Sequence, residues 1–247
     1  MISNQYLLGL KISNVDVISL HDYIDHCIAV NKKTRIGNLN INAANIGYEN
    51  KWYKNYVNSC DVVFCDGKGI QLGLLISKKI VPPQITYHTW MWDLVAHCEK
   101  KGYRLYLLGS KEGVANEVEK KFINKFPSLL VRSDHGYFNK DNEENISVIN
   151  NINDFGAQIL VVGFGMPLQE KWILDNIDKI TANIFLNGGA FLDWISGVQK
   201  QAPSWMTKCG LEWLYRFIKE PRRLFKRYII GNPLFMYRII KQKIKGF

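Results

Sequence analysis

The segment YRLYLLGSKEGVANEVEKKFINKF (103–126) contains a strand-like run followed directly by a helix-like run. The apolar residues of YRLYLLGS (103–110) are nearly continuous, as in a strand that is buried on both faces of its sheet. In GVANEVEKKFINKF (113–126) the charged residues fall on one face of a helix. A buried strand followed by an amphipathic helix is the repeating unit of a parallel α/β sheet.

The same alternation continues in both directions along the chain. On the N-terminal side we predict strands in LLGLKI (7–12), RIGNLNINA (35–43) and DVVFCDG (61–67), and helices in VISLHDYIDHCIAV (17–30) and near 89–101. On the C-terminal side we predict strands in SLLVRS (128–133), AQILVVGFG (157–165) and NIFLNGG (183–189), and helices near 141–153 and in PLQEKWILDNI (167–177). The pattern predicts a Rossmann-like, mostly parallel sheet flanked by helices.

The positive charge is concentrated near the C-terminus. The chain of 247 residues has a formal net charge of +10, and residues 204–247 contain eleven Lys/Arg but only Glu212 and Glu220 as acids. The composition changes near Ala202-Pro203, and helical runs interrupted by Pro221 and Pro233 follow. We therefore predict an α/β catalytic domain over 1–203 and a basic, aromatic-rich helical appendage over 204–247. Such an asymmetry points to a polyanionic partner, either nucleic acid or an anionic membrane.

The sequence lacks several common signals. The N-terminus has no basic segment followed by a long apolar run, so we expect no signal peptide. No stretch approaches the ~18 apolar residues of a membrane span, so a protein that meets a membrane would lie on it. The five cysteines are scattered, as in a cytosolic protein with reduced thiols. With no D-x-D, no H-E-x-x-H and no His/Cys cluster, we expect neither a metal nor a cofactor.

Glycines close several of the predicted strands. In open α/β sheets, ligands bind beyond the carboxyl ends of the strands, so these turns are the first candidates for substrate binding. The glycines concerned are Gly67, Gly109, Gly163, Gly165 and Gly189. The turn VVGFGMP (161–167) lacks the full G-x-G-x-x-G of a dinucleotide site, but the helix that follows it can hold a phosphate at its N-terminus. A purely structural turn is the alternative.

Polar residues beside these turns are candidates for chemistry. Asp66 follows an apolar strand and precedes a glycine turn, where a carboxylate can act as a general base or simply order the loop. Asn38 and Asn40 can cap the next helix or bind a ligand. Gln169 can bind a sugar hydroxyl, whereas Glu170 can bind substrate or only complement the helix dipole. Position alone leaves these alternatives open.

The tail alternates arginines with aromatic residues. Arg223 and Arg227 are four residues apart and share a helix face, and Arg216 lies one short helix earlier. Guanidinium groups bind diphosphates in a bidentate manner, and Trp, Tyr, Lys and Arg favour an anionic membrane surface. The alternative is a basic helix that packs its apolar side on the core. No nucleic-acid-binding module is identifiable.

Taken together, these segments resemble the WecG/TagA/CpsF family of bacterial glycosyltransferases. The resemblance covers most of the chain and rests on the following segments, in this order: LLGLKISNVDV (7–17), NLNINAANI (38–46), CDGKGI (65–70), YLLGSKEGVANEV (106–118), GYF (136–138), ILVVGFGMPLQEKWI (159–173), GGAFLDWISGVQKQAPSW (188–205) and GLEWLYRFIKEPRRLFKRY (210–228).

The resemblance implies an inverting, metal-independent transfer of a sugar from a UDP-sugar to an undecaprenyl-diphosphate-linked sugar. It places the work at the cytoplasmic face of the bacterial plasma membrane, where the appendage docks peripherally, in teichoic acid, capsule or exopolysaccharide synthesis. It suggests that self-association is coupled to docking. By resemblance, Asp66 is the catalytic base, and Gln169 and Asn40 are active-site residues. The diphosphate ligands are Arg216, Arg223 and Arg227.

The sequence departs from the family pattern near the expected sugar pocket. The family's T-x-N is Asn38-Leu39-Asn40, and its R-[VI]-[TA]-G-x-[DE] segment is replaced within QITYHTWMWDL (84–94). The family's common donor, UDP-N-acetylmannosamine, is therefore one alternative, and UDP-glucose or another UDP-hexose is another. The added aromatic residues Tyr87, Trp90 and Trp92 either stack on a sugar or pack in the core.

Two other functional classes fit the sequence less well. A non-catalytic protein that binds membranes or polyanions on the same scaffold has no use for Asp66 and Gln169 beside glycine turns. A nucleotide-dependent oxidoreductase requires the glycine fingerprint that the chain lacks. The sequence therefore favours a glycosyltransferase with a UDP-sugar donor, a polyprenyl-diphosphate-linked acceptor and an anionic membrane surface as partners, and no nucleic acid.

Overall fold

The computed structural model describes residues 2–200, 202–203, 206 and 211–244. The predicted start of the appendage at Ser204 and the beginning of the GLEW motif at Gly210 lie outside these residues. The division of the chain after residue 203 into a catalytic domain and an appendage stays a prediction.

The described residues form eight strands and twelve α-helices. The strands are β1 (Ser3–Leu7), β2 (Leu10–Asn14), β3 (Thr34–Leu39), β4 (Val62–Cys65), β5 (Arg104–Gly109), β6 (Leu130–Asp134), β7 (Ile159–Gly163) and β8 (Ile184–Asn187). The helices are α1 (Val17–Ala29), α2 (Ile41–Glu49), α3 (Lys51–Ser59), α4 (Lys68–Ile76), α5 (Tyr87–Lys101), α6 (Val114–Lys125), α7 (Glu143–Phe155), α8 (Leu168–Asn176), α9 (Phe191–Ser196), α10 (Glu212–Lys219), α11 (Pro221–Phe225) and α12 (Gly231–Ile244). A short 3₁₀ helix (Ile177–Lys179) follows α8, and a π-helical turn (Lys226–Ile230) joins α11 to α12.

Six strands form the main sheet, in the order β4-β3-β8-β7-β5-β6. The pairs β3–β8, β8–β7, β7–β5 and β5–β6 are parallel. Leu105, Leu107, Val161 and Leu186 are fully buried in these strands, as expected where helices cover both faces. The predicted α/β class with a largely parallel sheet is confirmed.

The N-terminal segment differs from the prediction. LLGLKI (7–12) is not one strand but the turn and second strand of an antiparallel hairpin, with Leu7 paired to Leu10. Leu8 and Gly9 both have positive φ, 53° and 74°. Two such residues make the two-residue turn that suits the twist of a hairpin, although leucine rarely occupies it. Because the apolar residues of this segment are almost continuous, the sequence pattern did not indicate the turn.

The chain divides into two compact units. Unit 1 comprises Met1–Asp16, Gly37–Thr86 and Lys200–Phe247. Within it, α12 contributes the fully buried Phe235 and Ile239. A Cβ added to Gly73 of α4 would lie 2.9 Å from Phe235 Cζ, so α12 packs directly against α4. The C-terminal helix is thus part of the core of unit 1.

Polar contacts fix α12 to α2 within the same unit. Asn45 Nδ2 donates to the carbonyl of Gly231 at 2.7 Å. The buried guanidinium of Arg238 donates to Asn45 Oδ1 at 2.8 Å, forms an ion pair with Glu49 and lies 4.3 Å from the centre of the Tyr48 ring. Both terminal nitrogens of this buried cation therefore have a partner of suitable charge or polarity.

Unit 2 comprises Val17–Ile36 and Tyr87–Gln199. Its core includes Leu108, Leu160 and Phe185 from the sheet, with Ile152 of α7 and Ile173 of α8 packed over them. This layer of helices on parallel strands fixes where β5, β7 and β8 end. The candidate site residues of this unit follow those strand ends.

Short helices in unit 1 precede α12. The rings of Trp213 and Tyr228 lie 5.9 Å apart, and those of Phe217 and Phe225 lie 6.5 Å apart. These contacts join α10 to α11 and the π-helical turn. Across the described ranges, no helix has the length and apolar content needed to cross a bilayer.

Candidate active site

Asp66 directly follows β4 and is held by residues of β3 and the turn after it. The Nδ2 groups of Asn38 and Asn40 both donate to Asp66 Oδ2, at 2.8 Å and 3.2 Å. The backbone N–H of Asp66 donates to the carbonyl of Leu39 at 2.9 Å. Two amide donors on one carboxylate oxygen fix the orientation of the group at the end of the strand.

Asn40 has two roles. Its Oδ1 accepts a hydrogen bond from the backbone N–H of Ala43 at 3.0 Å, which caps the N-terminus of α2. Its Nδ2 orients Asp66. Capping, one of the two alternatives that the sequence left open, is therefore observed, and contact of Asn40 with a ligand stays a prediction.

Asn38 carries an unsatisfied polar atom. The side chain is buried, and its Oδ1 has no hydrogen-bond partner among the described residues. Buried polar atoms nearly always have a partner, so such an atom calls for a donor from outside the chain. A hydroxyl group of a sugar is a donor of this kind.

The two residues that flank Asp66, Cys65 and Gly67, supply no nucleophile at neutral pH. Gly67 has a φ of 101°, and a Cβ added there would meet nothing within 4 Å. Burial, and then the charge of Asp66, raise the pKa of the Cys65 thiol to about 12. The sulfur therefore stays protonated near neutral pH and is not a nucleophile.

In unit 2, Gln169 joins the turns after β7 and β8. Its Oε1 accepts from the backbone N–H groups of Gly165 at 3.2 Å and Gly189 at 3.0 Å. Its Nε2 donates to Glu170 Oε1 at 2.9 Å, and both side chains are fully buried. Gln169 thus fixes the shape of two glycine turns that are distant in sequence. Its contact with a substrate stays a prediction.

Glu170 also contacts β8. Asn187 Nδ2 donates to Glu170 Oε1 at 3.1 Å, so one oxygen of the carboxylate accepts from both Asn187 and Gln169. The first turn of α8 is therefore attached to the end of β8 through side chains. This arrangement gives Glu170 a positioning function in addition to any effect on the helix dipole.

The glycines of these turns are required for two reasons. A Cβ on Gly109 would lie 2.6 Å from the carbonyl oxygen of Gly163, so the backbones at the ends of β5 and β7 meet closely. Gly165 and Gly189 have φ of 83° and 60°, and an added Cβ would meet nothing within 4 Å. A side chain at either position would fill the open space beside the turn, so glycine keeps this space free while Gln169 holds the backbone in place.

Ser110 and Asp193 were not among the site residues predicted from the sequence. Ser110 Oγ donates to Asp193 Oδ1, and the carbonyl of Ser110 accepts from the N–H of Gly136 at 2.8 Å. Ser110 has a φ of 56°, an unusual value for serine that often marks a functional turn. The only sequence signal was its position directly after Gly109.

The three tail arginines lie in different environments. Arg223 pairs with Glu220 and lines a cleft of about 540 Å³ together with Pro221, Arg222, Phe225 and Lys226. The guanidinium of Arg227 lies 5.4 Å from the centre of the Tyr228 ring. Arg216 lies in α10, which contacts α11. The cleft adds Arg222 and Lys226, four residues apart, to the predicted anion ligands.

The aromatic residues of 84–94 pack inside unit 2. Tyr87 and Trp90 are buried with ring centres 5.5 Å apart, and Trp90 Nε1 donates to His21 Nε2 at 3.0 Å. The ring of Trp92 meets Phe122 edge to face at 5.0 Å. The structure supports packing in the core over stacking on a sugar.

The described residues contain no group of three or more His, Cys, Asp or Glu side chains placed to hold a metal ion. The expectation of a metal-independent reaction stays a prediction, because the result concerns only the part of the chain that the structure describes.

Comparison with known proteins identifies a family that covers nearly the whole chain. The model of the Glycosyl transferase WecG/TagA/CpsF family matches residues 5–247. Enzymes from Staphylococcus aureus strains MW2 and NCTC 8325 / PS 47, both named N-acetylglucosaminyldiphosphoundecaprenol N-acetyl-beta-D-mannosaminyltransferase, are similar to this chain. Each is 25% identical over 246 residues, covering 97% of this chain and 93% of the relative.

The family match spans nearly the whole chain, including the segments that carry Asp66, Gln169 and the tail arginines. The expected family and the expectation of an enzyme are confirmed. The chain is a glycosyltransferase that belongs to the WecG/TagA/CpsF family.

Proposed function

We propose that this enzyme transfers a hexose or N-acetylhexosamine from a UDP-sugar to an undecaprenyl-diphosphate-linked sugar, with inversion and without a metal. The proposed setting is the synthesis of a cell-surface polysaccharide, such as teichoic acid, capsule or exopolysaccharide, at the cytoplasmic face of the plasma membrane. The observation that carries the proposal is the carboxylate of Asp66, oriented by the amides of Asn38 and Asn40.

In the proposed reaction, Asp66 accepts the proton of the attacking acceptor hydroxyl. A hydroxyl oxygen of the acceptor sugar attacks the anomeric carbon of the donor, and its proton passes to the carboxylate of Asp66. The bond between the anomeric carbon and the UDP oxygen breaks, and UDP leaves with the electron pair. Attack on the face opposite the leaving group inverts the anomeric configuration.

The charge that develops on UDP requires positive groups or N–H donors. Guanidinium groups bind a diphosphate in a bidentate manner and can replace a metal in this role. Arg216, Arg223 and Arg227 are the proposed cationic ligands, supported by the cleft that Arg222, Arg223 and Lys226 line together. The turns at Gly109, Gly163, Gly165 and Gly189 are proposed to contact the substrate, and the backbone beside Gly165 and Gly189 leaves open space for it.

The tail is the proposed contact with the membrane that carries the acceptor. Ile218, Phe225, Ile229 and Ile230 are exposed among the basic residues of α10, α11 and the π-helical turn. Exposed apolar residues among Lys and Arg favour the interface of an anionic bilayer. This division of work between residues 1–203 and 204–247, and any coupling of docking to self-association, belong to the proposal.

The test measures UDP release from a panel of UDP-sugars, with a short-chain polyprenyl-diphosphate N-acetylhexosamine as acceptor and EDTA present. We expect acceptor-dependent UDP release with one donor, at a rate that EDTA does not lower. Loss of the rate with EDTA would overturn the metal-independent mechanism. No release with any donor would overturn the proposed reaction.

A further inference from the structure

The segment between Asp66 and α5 has an unusual surface. Lys68, Leu72 and Leu75 occupy one face of α4 at the spacing i, i+4 and i+7. Leu72 is 45% exposed and Leu75 is 65% exposed. In the loop that follows, Ile80 is 63% exposed and Val81 is 40% exposed. Four aliphatic side chains therefore face outward within ten residues of chain. We call the exposed side chains of residues 68–81 the α4 face.

The loop that carries two of these residues is attached at its backbone. Gln5 Nε2 donates to the carbonyl of Ile80 at 2.5 Å, and Gln71 Nε2 donates to the carbonyl of Pro82 at 3.0 Å. Both glutamines belong to unit 1, as does the loop. Because side chains hold the loop by its carbonyl groups, the outward position of Ile80 and Val81 is part of the fold.

The charged side chains of the α4 face are all positive. Lys68, Lys78 and Lys79 lie in this segment, and the sequence has no Asp or Glu between Asp66 and Asp93. Aliphatic side chains among cations match the interface of an anionic bilayer, where the side chains enter the acyl boundary and lysines meet the headgroups.

We propose that the α4 face is a second membrane contact, separate from the basic tail, and that its partner is a bilayer containing anionic phospholipid. The inference rests on the proposed function, in which the acceptor is held in a membrane. A second copy of the chain is disfavoured as the partner, because a symmetric contact would bring the same lysines together.

The location of the face gives it a consequence for the reaction. The first residue of α4 comes two positions after Asp66, and a nine-residue helix is about 13 Å long at roughly 1.5 Å per residue. Contact of α4 and its following loop with the bilayer would therefore hold Asp66 within about one short helix length of the lipid surface. That distance suits an acceptor sugar that projects from a lipid-linked diphosphate.

The experiment is flotation of the full chain with vesicles of phosphatidylglycerol and phosphatidylcholine, without acceptor. The test variant is Leu75→Ser with Ile80→Ser. The matched control is Ile18→Ser with Ile146→Ser, two residues of α1 and α7 that are 73% and 59% exposed. We expect the partition coefficient of the test variant to fall roughly tenfold to a hundredfold, as partial burial of two aliphatic side chains implies. The control should stay close to the wild type.

A charge variant tests the anionic partner. Lys78→Glu should reduce binding to mixed vesicles by roughly tenfold or more, because a favourable charge is replaced by an unfavourable one. It should have little effect with pure phosphatidylcholine. Equal binding by the wild type and the Leu75/Ile80 variant, or equal losses in test and control variants, would overturn the proposal. A change of oligomeric mass in the Leu75/Ile80 variant with unchanged vesicle binding would assign the face to a second copy instead.

Turnover of the wild type on a water-soluble acceptor separates this inference from the proposed function. If the wild type turns over but the α4-face substitutions leave vesicle binding unchanged, only the proposed membrane contact is overturned. If those substitutions weaken vesicle binding but the wild type does not turn over, only the proposed reaction is overturned.

Discussion

At the level of residues, the proposed chemistry depends on the carboxylate of Asp66. Asp66→Asn keeps the size of the side chain but removes its capacity to accept a proton. We expect the transfer rate to fall by roughly 10²–10⁴-fold, the usual contribution of a general base. The rate should be measured on the soluble acceptor with saturating donor.

Binding of UDP provides the control for this substitution. Calorimetry should show unchanged affinity for UDP, because the proposed diphosphate ligands are unaltered. A variant that turns over near the wild-type rate would remove Asp66 as the base. A variant that no longer binds UDP would show that the side chain acts in binding instead.

His21 predicts a dependence of stability on pH. Its Nε2 accepts from Trp90 Nε1 at 3.0 Å, and its ring stacks on that of His97 at 4.5 Å. Burial, and then the nearby His97, lower the pKa of His21 from 6.5 to about 4. The unfolded chain therefore binds more protons than the folded chain between these two values, so stability rises with pH across that window.

The contribution of His21 to the free energy of unfolding should be fully present above about pH 6.5 and should decrease as the pH falls towards 4. We expect a loss of roughly 1–2 kcal/mol from this group, allowing for its partial exposure. Urea unfolding at a series of pH values measures it, with His21→Asn as the reference that should show a weaker dependence. An identical pH dependence in the two proteins would contradict the assignment to His21.

At the level of elements, the sequence predicted the central strands and the helices that follow them, but RIGNLNINA (35–43) is a strand only as far as Leu39 and then enters α2. The runs that contain β5, β7 and β8 are apolar and end in glycine, and those signals depend only on neighbouring residues. The turn at Leu8-Gly9 was missed because leucine is not a residue that favours positive φ. The hydrogen bonds from Gly165 and Gly189 to Gln169 could not be predicted from the sequence, because they depend on which strands become neighbours in the sheet.

The packing of α12 in the core of unit 1 could not be predicted from the sequence pattern either. The basic composition of the tail concealed the buried face formed by Phe235, Arg238 and Ile239. Arginine is rarely buried unless it is paired, and its partners Asn45 and Glu49 are almost two hundred residues earlier. The arginines singled out from the sequence were therefore not the one that holds the helix in place.

The attachment of α12 to α2 can be tested at Arg238. Arg238→Met keeps an apolar stem but leaves Asn45 and Glu49 without their partner. We expect amide hydrogen exchange in 231–244 to accelerate roughly tenfold to a hundredfold, since hydrogen bonds to a charged group contribute about 1.5–3 kcal/mol. Exchange in α7 of unit 2 should be unchanged.

Lys241→Met is the matched control, because this lysine is exposed on the same helix. Its exchange rates should resemble those of the wild type. If both variants accelerate exchange equally, the effect belongs to loss of positive charge from the helix and not to the contacts of Arg238.

At the level of the whole molecule, the tail is both a surface and a part of the core. A chain truncated before Ser204 lacks Phe235 and Ile239, which are fully buried in unit 1. We expect its thermal midpoint to fall markedly, because loss of each such side chain costs roughly 2–5 kcal/mol. Calorimetry on the truncated and full-length chains measures the change.

The comparison variant is Ile218→Ser with Ile230→Ser, at two positions that are 64% and 49% exposed. It should melt like the wild type, so any loss of vesicle binding can be assigned to the tail surface. An unchanged thermal midpoint in the truncated chain would show that α12 is dispensable for the core of unit 1.

The composition of unit 1 from three separate segments also bears on biosynthesis. Its first segment ends at Asp16 and its last begins at Lys200, so the ribosome must make all of unit 2 before α12 can reach its place. Since α12 covers α4 and α2, we expect the surroundings of Asp66 to mature only after α12 has been synthesised. A prematurely terminated product would then be catalytically silent even though it retains every residue assigned to proton transfer.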